Sequence, residues 1–205
     1  MAERRPKTLE EAIHGLQNLR LSVFDASYLN LQDSGCLVLN EGLAKGKCRD
    51  TLRELYLWKN GIGYQGIKHI SKALSNLPKM RELNLFRNRI GDPGCSLLCR
   101  NLSEGLCKQL QILWLGDNDI TKFPEDVTKM PTLQRLYLNH NKITYVPPEI
   151  SKLDNLIVLD LDHNPLKGIP EGTYFLGMTK LPGPRWELLK PHFQEELQSD
   201  RSSSV

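Results

Sequence analysis

Residues 110–118 read Leu110-Gln-Ile-Leu-Trp-Leu-Gly-Asp-Asn118, a stretch of the form L-x-x-L-x-L-x-x-N that recurs along the chain. Copies begin at residues 21, 52, 80, 110, 133 and 156, so successive copies start 31, 28, 30, 23 and 23 residues apart. The first copy is degenerate and has Leu29 where the others have asparagine. Self-similarity at a period of roughly 20 to 50 residues indicates a solenoid, in which each repeat packs on its neighbours.

The segments that join the copies change character halfway along the chain. The first three joins have helical spacing, as in Asp92-Pro-Gly-Cys95 and the leucines after it. Asp92 is expected to cap that helix, and the following proline suits its first turn. The later joins are shorter and read Phe123-Pro-Glu-Asp-Val127 and Val146-Pro-Pro-Glu-Ile150. Their prolines predict short 3₁₀ or extended turns, so curvature should be stronger before Leu110 than after it.

Both ends of the solenoid are expected to carry a cap. Thr8-Leu-Glu-Glu11 is a capping box, in which the Thr8 hydroxyl accepts from the Glu11 N–H and the Glu11 carboxylate reaches back to the cap. An apolar stripe at helical spacing follows: Leu9, Ala12, Ile13, Leu16 and Leu19. The predicted units are an N-terminal capping helix over residues 1–20, a solenoid over 21–169, a C-terminal cap over 170–198 and a disordered tail over 199–205.

On these repeats, the chain resembles the leucine-rich repeat superfamily over residues 8 to 193. The first half is similar to the ribonuclease-inhibitor type, and the second half to the 23-residue type of intracellular Ras-binding repeat proteins. The resemblance implies an α/β fold: a right-handed solenoid with a parallel concave sheet of about six strands. Helices, and then short 3₁₀ or extended turns, would lie on its convex side.

Composition favours the cytoplasm, with the nucleus as an alternative. The start of the chain is charged, and no apolar stretch is long enough for a signal peptide or a membrane span. A net charge of +3 and a pI near 8.6 fall short of the concentrated basic surface of a nucleic-acid binder.

The cysteines are expected to be buried free thiols. Cys36 and Cys95 follow Asp-x-Gly at the same place in two repeats, which favours small core residues. Cys95 and Cys99 stand one helical turn apart and would supply two metal ligands, but no second pair has matching spacing. We therefore expect neither disulfide bonds nor a bound metal.

Alternation along each strand predicts which residues face outward. The leucines of the motif point into the core, so its third, fifth and seventh positions face the concave side, while the ninth-position asparagines turn inward to bond the turns. Adjacent strands lie roughly 4.8 Å apart, so the aromatic residues of these columns should form one exposed patch. The alternative is that aromatic residues merely suit β-strands. The predicted concave partner-binding residues are Tyr56, Trp58, Phe86, Trp114, Tyr137, Glu54, Glu82, Arg87, Arg135, His140, Asp160 and Asp162.

Two other groups could bind small ligands. His140, His163, Asp160 and Asp162 are candidates for a metal site, although an exposed polar ladder is favoured. Gly61-Ile-Gly63-Tyr-Gln-Gly66 has the G-x-G-x-x-G form of a dinucleotide site. The next repeat has a related turn at residues 91–94, which assigns these glycines to the repeat. No catalytic motif is present, so we expect neither enzymatic activity nor a cofactor.

The leading functional hypothesis is a non-enzymatic module that binds a protein or peptide on the concave aromatic surface. The first alternative, which rests on the resemblance, is a regulator or activator of a small GTPase or a phosphatase; the second is a nucleic-acid-associated adaptor. The chain also ends in Ser203-Ser-Val205, which resembles a PDZ-binding terminus.

Overall fold

The computed structural model describes residues 6–167, which form one parallel six-stranded sheet with its strands in chain order. The strands are β1 (Val23–Asp25), β2 (Glu54–Tyr56), β3 (Glu82–Asn84), β4 (Ile112–Trp114), β5 (Arg135–Tyr137) and β6 (Val158–Asp160). The helices are α1 (Leu9–Asn18), α2 (Gln32–Lys45), α3 (Tyr64–Ser75) and α4 (Gly91–Glu104), followed by the 3₁₀ helices η1 (Glu125–Lys129) and η2 (Pro148–Lys152). The α/β solenoid expected from the repeats is confirmed.

Every strand occupies the third to fifth positions of its copy of the motif. The register pairs Leu55 with Leu83, Leu83 with Leu113 and Leu113 with Leu136, so residues at the same motif position lie side by side. Because side chains alternate along a strand, successive columns face the core and the solvent in turn. The predicted register is therefore correct over all six strands.

The core lies between the sheet and the return segments. Motif leucines at the first, fourth and sixth positions fill it, for example Leu110, Leu113 and Leu115, which are at most 1% exposed. Each repeat adds an apolar layer that its neighbours cover, and the helices contribute Ile67, Leu74 and other buried side chains from the opposite side. Burying an aliphatic side chain contributes about 1.5–3 kcal/mol, which makes the stacking of repeats the main stabilising term.

The return segments change type where the sequence predicts. Helices α2, α3 and α4 have 14, 12 and 14 residues, whereas η1 and η2 have five each. Pro124 precedes η1, and Pro147 precedes η2 with a second proline at its first position. Proline lacks a backbone donor and disfavours a helical residue before it, which accounts for the short turns. The predicted difference in curvature stays a prediction.

The N-terminal helix forms with two differences from expectation. The Glu11 N–H donates to the Thr8 hydroxyl as predicted, but the Glu11 carboxylate accepts from the N–H of Lys7 instead of that of Thr8. Leu19, expected to belong to the apolar stripe, follows the end of α1 in extended backbone and is 47% exposed. Ala12 and Leu16 are fully buried and Leu9 and Ile13 pack against the core, so the stripe is one residue shorter than expected.

The ninth-position asparagines form a ladder that joins neighbouring repeats. Asn141 accepts from the N–H groups of Asn118 and Ile120 and donates to the carbonyls of Leu115 and Leu138. Equivalent bonds recur at Asn60, Asn88, Asn118 and Asn164. The amides satisfy backbone groups of the turns, which burial would otherwise leave without partners. Their predicted structural role is confirmed.

The predicted C-terminal cap at 170–198, the tail at 199–205 and the terminus Ser203–Val205 lie outside the described residues. Within residues 6–167, no helix combines the length and the apolar character needed to cross a lipid bilayer.

The ladder leads to a stability prediction. Asn118 is fully buried and bonds to Ile90 N–H and the Leu85, Leu115 and Gly116 carbonyls, so Asn118→Ala should leave buried groups unsatisfied. The free energy of unfolding should fall by about 2–3 kcal/mol in equilibrium urea denaturation.

The control is Asn155→Ala. Its exposed side chain donates one bond, to Pro131, and its loss should cost no more than about 1 kcal/mol. Equal losses in the two variants would contradict a special role for the ladder.

Candidate functional site

The register brings the predicted concave residues into columns on neighbouring strands. The third-position column contains Glu54, Glu82 and Arg135, and the fifth-position column contains Tyr56, Trp114, Tyr137 and Asp160. Trp58, Phe86 and Asp162 occupy the seventh position, just beyond the strands, and Arg87 and His140 occupy the eighth. The twelve residues thus lie on the concave face and its adjoining rim.

The concave aromatic residues are half-buried, whereas the sequence suggested an exposed patch. The rings of Trp114 and Tyr137 stack with centroids 3.6 Å apart and planes at 5°. At the other end, Trp58 meets Tyr28 edge to face with centroids 4.3 Å apart. Phe86 lies in the repeat between these pairs, and Tyr56 lies in the same repeat as Trp58. Mutual packing removes part of each ring from water and also fixes the ring orientations.

Tyr28 was not among the residues predicted from the sequence. It lies at the eighth position of the degenerate first copy, is 48% exposed, and has Lys59 Nζ 4.8 Å from its ring centroid. Its position beside Lys59 could have been found by aligning eighth positions through the first copy. The aromatic surface therefore extends one repeat further toward the N-terminus than expected.

Two carboxylates are held among the rings. Trp114 Nε1 donates to Glu82 Oε1 at 2.9 Å, and the Tyr56 hydroxyl donates to Glu54 Oε2 at 2.9 Å. Burial raises the pKa of Tyr56, and its hydrogen bond to Glu54 and the charge of Glu82 raise it further. The phenol consequently remains a hydrogen-bond donor at neutral pH.

Polar residues in the fifth position bond to their own turn. Asp25, Asn84 and Asp160 each accept from the N–H two residues later, at 2.9, 2.9 and 3.1 Å. These contacts resemble the local bonds that aspartate and asparagine make in turns. Asp160 is therefore partly engaged within its repeat, so less of its acceptor capacity is available to a partner than the sequence suggested.

The eighth-position residues line one rim of the concave face. They are Tyr28, Lys59, Arg87, Asp117, His140 and His163, and their φ angles lie between 52° and 62°. Residues other than glycine rarely adopt this left-handed conformation, which the repeated turn imposes on them. Arg87 Nε lies 3.3 Å from Asp117 Oδ2, and the rings of His140 and His163 stack 4.2 Å apart. The rim thus has interacting neighbours in adjacent repeats.

The predicted metal candidates do not form a metal-binding group. His140 and His163 are stacked, and Asp160 bonds to the Asp162 N–H. No set of three or more His, Cys, Asp or Glu side chains within residues 6–167 is arranged to hold a metal ion.

The G-x-G-x-x-G segment is occupied by a carboxylate of the preceding repeat. Asp33 Oδ1 accepts from Gly63 N–H at 2.7 Å and from Gly66 N–H at 2.8 Å. A side chain at residue 66 would also collide with Asp33, since a Cβ there would lie 2.6 Å from Oδ1. Asp33 therefore uses the amides that a dinucleotide phosphate would need.

Asp92 has the equivalent role at a later repeat. It was expected to cap α4, but it lies in the first turn of that helix and makes no cap bond there. Its Oδ1 accepts from the N–H groups of Thr121 and Lys122 at 2.6 and 3.0 Å. Although partial burial opposes it, bonding to Thr121 and Lys122 lowers the pKa of Asp92 below its usual value of 3.8. Asp33 and Asp92 thus link return segments of successive repeats.

All five cysteines are buried and free, as expected. Burial raises the pKa of Cys36 and Cys107 to about 12 and that of Cys48 to about 11. Hydrogen bonding to Cys95, together with burial, raises the pKa of Cys99 well above its usual value. Such thiols behave as small apolar core residues.

Comparison with known families supports the repeat assignment. A family model described as "Leucine rich repeat" matches residues 108–166 and 131–181, and a second with the same description matches residues 76–99.

Relatives match about half of the chain. "NACHT, LRR and PYD domains-containing protein 12" of Mus musculus is 36% identical over 105 residues, or 51% of this chain and 10% of that protein. Ribonuclease inhibitor of Mus musculus is 35% identical over 101 residues, or 49% of this chain and 22% of that protein. The matched region thus spans only about a tenth to a fifth of these relatives.

A solved structure has the same fold. The structure of an LRR protein from Leptospira interrogans is similar with a TM-score of 0.57 and 26% identity, covering 82% of this chain and 37% of that one.

The buried thiols should resist modification in the folded protein. A pKa of about 12 leaves about a thousandfold less thiolate at a given pH than the ordinary value of 9, and the thiolate is the reactive form. At pH 8, a disulfide reagent should react with the five thiols rapidly in denaturant and very slowly without it. Rapid reaction of the native protein would show that the thiols are accessible.

Asp92 should make stability depend on pH. Because its folded pKa is depressed, its stabilisation is present above the unfolded pKa and is lost as the pH falls through the folded pKa. Urea unfolding should therefore show that Asp92→Asn destabilises the protein at pH 7, and that the difference from the wild type shrinks below about pH 4.

Asp50→Asn serves as the control because the Asp50 carboxylate is 76% exposed, and it should follow the wild type at both pH values. A difference between the wild type and Asp92→Asn that does not vary with pH would contradict the role given to the carboxylate.

Proposed function

Because this chain belongs to the leucine-rich repeat superfamily, we propose that it is a non-catalytic module that binds a protein or peptide on its concave aromatic surface. Leucine-rich repeat proteins generally mediate protein–protein interaction, and the name of one relative, ribonuclease inhibitor, describes action on another protein. The finer assignment to this surface rests on the aromatic residues of the fifth and seventh positions.

The observation that carries the proposal is the packing of large half-buried rings outside the core. Tyr56, Trp58, Phe86, Trp114 and Tyr137 lie on the solvent face of the sheet, while leucines of the same repeats fill the core. Tryptophan and tyrosine are enriched among the residues that contribute most to binding at interfaces. The alternative, that these rings only serve the strands, leaves their remaining exposure without a purpose.

Ring packing also favours tight binding because the surface is ordered before the partner arrives. The stack of Trp114 on Tyr137 and the Trp114 bond to Glu82 restrain the indole, so less side-chain entropy is lost on association. The glycine at position 116 contributes space: a Cβ there would lie 2.9 Å from Phe86 Cδ2 and 2.4 Å from Asn139 Oδ1. The absence of a side chain at Gly116 thus leaves room for Phe86 and Asn139 of the neighbouring repeats.

Charged residues would set orientation more than affinity. Arg135 is exposed on β5, and the Arg87–Asp117 pair is about half exposed, a setting in which an ion pair contributes little. His140, Asp160 and Asp162 extend the surface toward the sixth repeat. We place these groups at the polar rim of the interface and the rings at its centre.

The proposed domain limits follow from the same view. Residues 1–20 would cap the first repeat, and residues 21–169 would present the binding face. A location in the cytoplasm stays a prediction, as do the alternatives of a GTPase or phosphatase regulator and a nucleic-acid adaptor.

Replacing the central rings tests the surface. Trp58→Ala and Trp114→Ala should each weaken partner binding by about 2 kcal/mol, or about thirtyfold in Kd, while cooperative unfolding persists. Partners would be identified by proximity labelling with the full chain in its native cell and compared with the double variant. Affinity for each identified partner would then be measured with purified proteins.

Tyr145→Ala is the matched control, since Tyr145 is 53% exposed and lies before η2 rather than in a concave column. It should bind like the wild type. Normal binding by both folded tryptophan variants would overturn the assignment of the concave surface.

A further inference from the structure

Glu54 and Glu82 stand directly opposite each other on β2 and β3. Like charges on neighbouring strands repel each other, which does not stabilise the sheet. In the described part of the chain, no Lys, Arg or His nitrogen forms an ion pair with either carboxylate within 4.0 Å. Among these residues, the two adjacent negative charges therefore have no counter-charge at that distance.

The two carboxylates are held in place by aromatic donors. Glu82 receives the Trp114 indole N–H from the neighbouring strand, and Glu54 receives the Tyr56 hydroxyl from its own strand. The Tyr56 hydroxyl also interacts with Glu82, which adds to the Trp114 bond. An ionised carboxylate has about four acceptor sites, so these donors leave each carboxylate able to accept further hydrogen bonds. The orientation of the two carboxylates is thus fixed, while some of their hydrogen-bond acceptor sites remain unused.

A flat aromatic surface adjoins this pair of charges. The rings of Trp114 and Tyr137 are parallel to within 5°, and the edge of the Trp114 indole is the one bonded to Glu82. Ring faces attract cations, and planar guanidinium groups both stack on rings and donate to carboxylates through five N–H groups. The combination of paired carboxylates and a stacked indole is complementary to arginine.

We propose that the concave face binds an arginine side chain of its protein or peptide partner, with the guanidinium between Glu54 and Glu82 and against the Trp114 ring. The inference rests on the proposed function, because it names the chemistry of the partner that would occupy that surface. The arginine relieves the repulsion between the carboxylates, so binding gains from a cost already present in the free protein.

Neighbouring charges limit how the attraction acts. Arg53 and Arg81 precede the two glutamates and are exposed, and Lys59 lies on the rim. These cations offset part of the negative charge of the carboxylates, and salt screens the remaining field beyond the Debye length of about 8 Å at physiological ionic strength. Recognition consequently depends on direct contact with the carboxylates and gives little long-range steering.

Nuclear magnetic resonance tests the contact with a small probe. Titration of the full chain with N-acetyl-arginine amide should shift the Trp114 indole N–H signal saturably, because this N–H is bonded to Glu82. The neutral analogue N-acetyl-citrulline amide should not, and N-acetyl-lysine amide should give a weaker response. Absence of an arginine-specific shift, or a stronger response to lysine, overturns the proposal.

Variants connect the shift to the carboxylates. Glu54→Gln/Glu82→Gln retains side-chain size and should lower the affinity for the arginine probe by about tenfold or more. The matched control Glu125→Gln/Glu149→Gln alters two carboxylates on η1 and η2 and should respond like the wild type. An unchanged response in the Glu54/Glu82 variant contradicts the site.

Selection from a random linear peptide display library separates this inference from the proposed function. Peptides that bind the wild type should lose binding to Trp58→Ala/Trp114→Ala, and they should contain arginine. When that arginine is replaced by citrulline, the peptide should bind the wild type and Glu54→Gln/Glu82→Gln equally. Ring-dependent peptides without an essential arginine would overturn the inference alone. Peptides indifferent to the tryptophan variants, or no binders at all, would overturn both.

Discussion

The side-chain amide at the ninth position of each repeat is the interaction on which the rest of the solenoid depends. Each buried asparagine both donates and accepts, so it bonds carbonyls of two repeats and N–H groups of the turn before it. A shorter or apolar residue would leave these groups unsatisfied away from water. By fixing each turn against the next, the ladder keeps the strands in register and lines up their outward columns.

Return segments add a second link between repeats. Asp33 and Asp92 occupy the first turns of α2 and α4, yet both bond to amides at the start of the next return segment. Near Asp92, the convex side changes from helix to 3₁₀ turn, and an open groove bordered by Pro93, Phe123 and Lys152 lies at that step. Changing the return type does not disturb the sheet, because β5 continues the register of β4.

Some polar side chains of the concave face stabilise their own repeat, whereas others are arranged in a way that does not stabilise the fold. Asp25, Asn84 and Asp160 bond to their own turns, so these polar residues have a local role. Glu54 and Glu82 instead face each other across two strands, with aromatic donors fixing them in place. Repulsion of this kind does not stabilise the fold, and in the proposed complex the arginine of the partner relieves it.

Periodicity and proline placement in the chain were enough to predict the repeat, its register, the inward leucines and asparagines, the switch of return type and the ring columns, because each depends on residues within one repeat. Other contacts became known only from the folded chain: Glu11 bonds Lys7, Asp92 bonds the next repeat, and Trp114 bonds Glu82. The ring contact between Tyr28 and Trp58 also became known only from the folded chain. Most of these contacts join residues about 30 positions apart in the chain, and the exact partner depends on rotamers and close approach after the repeats have stacked.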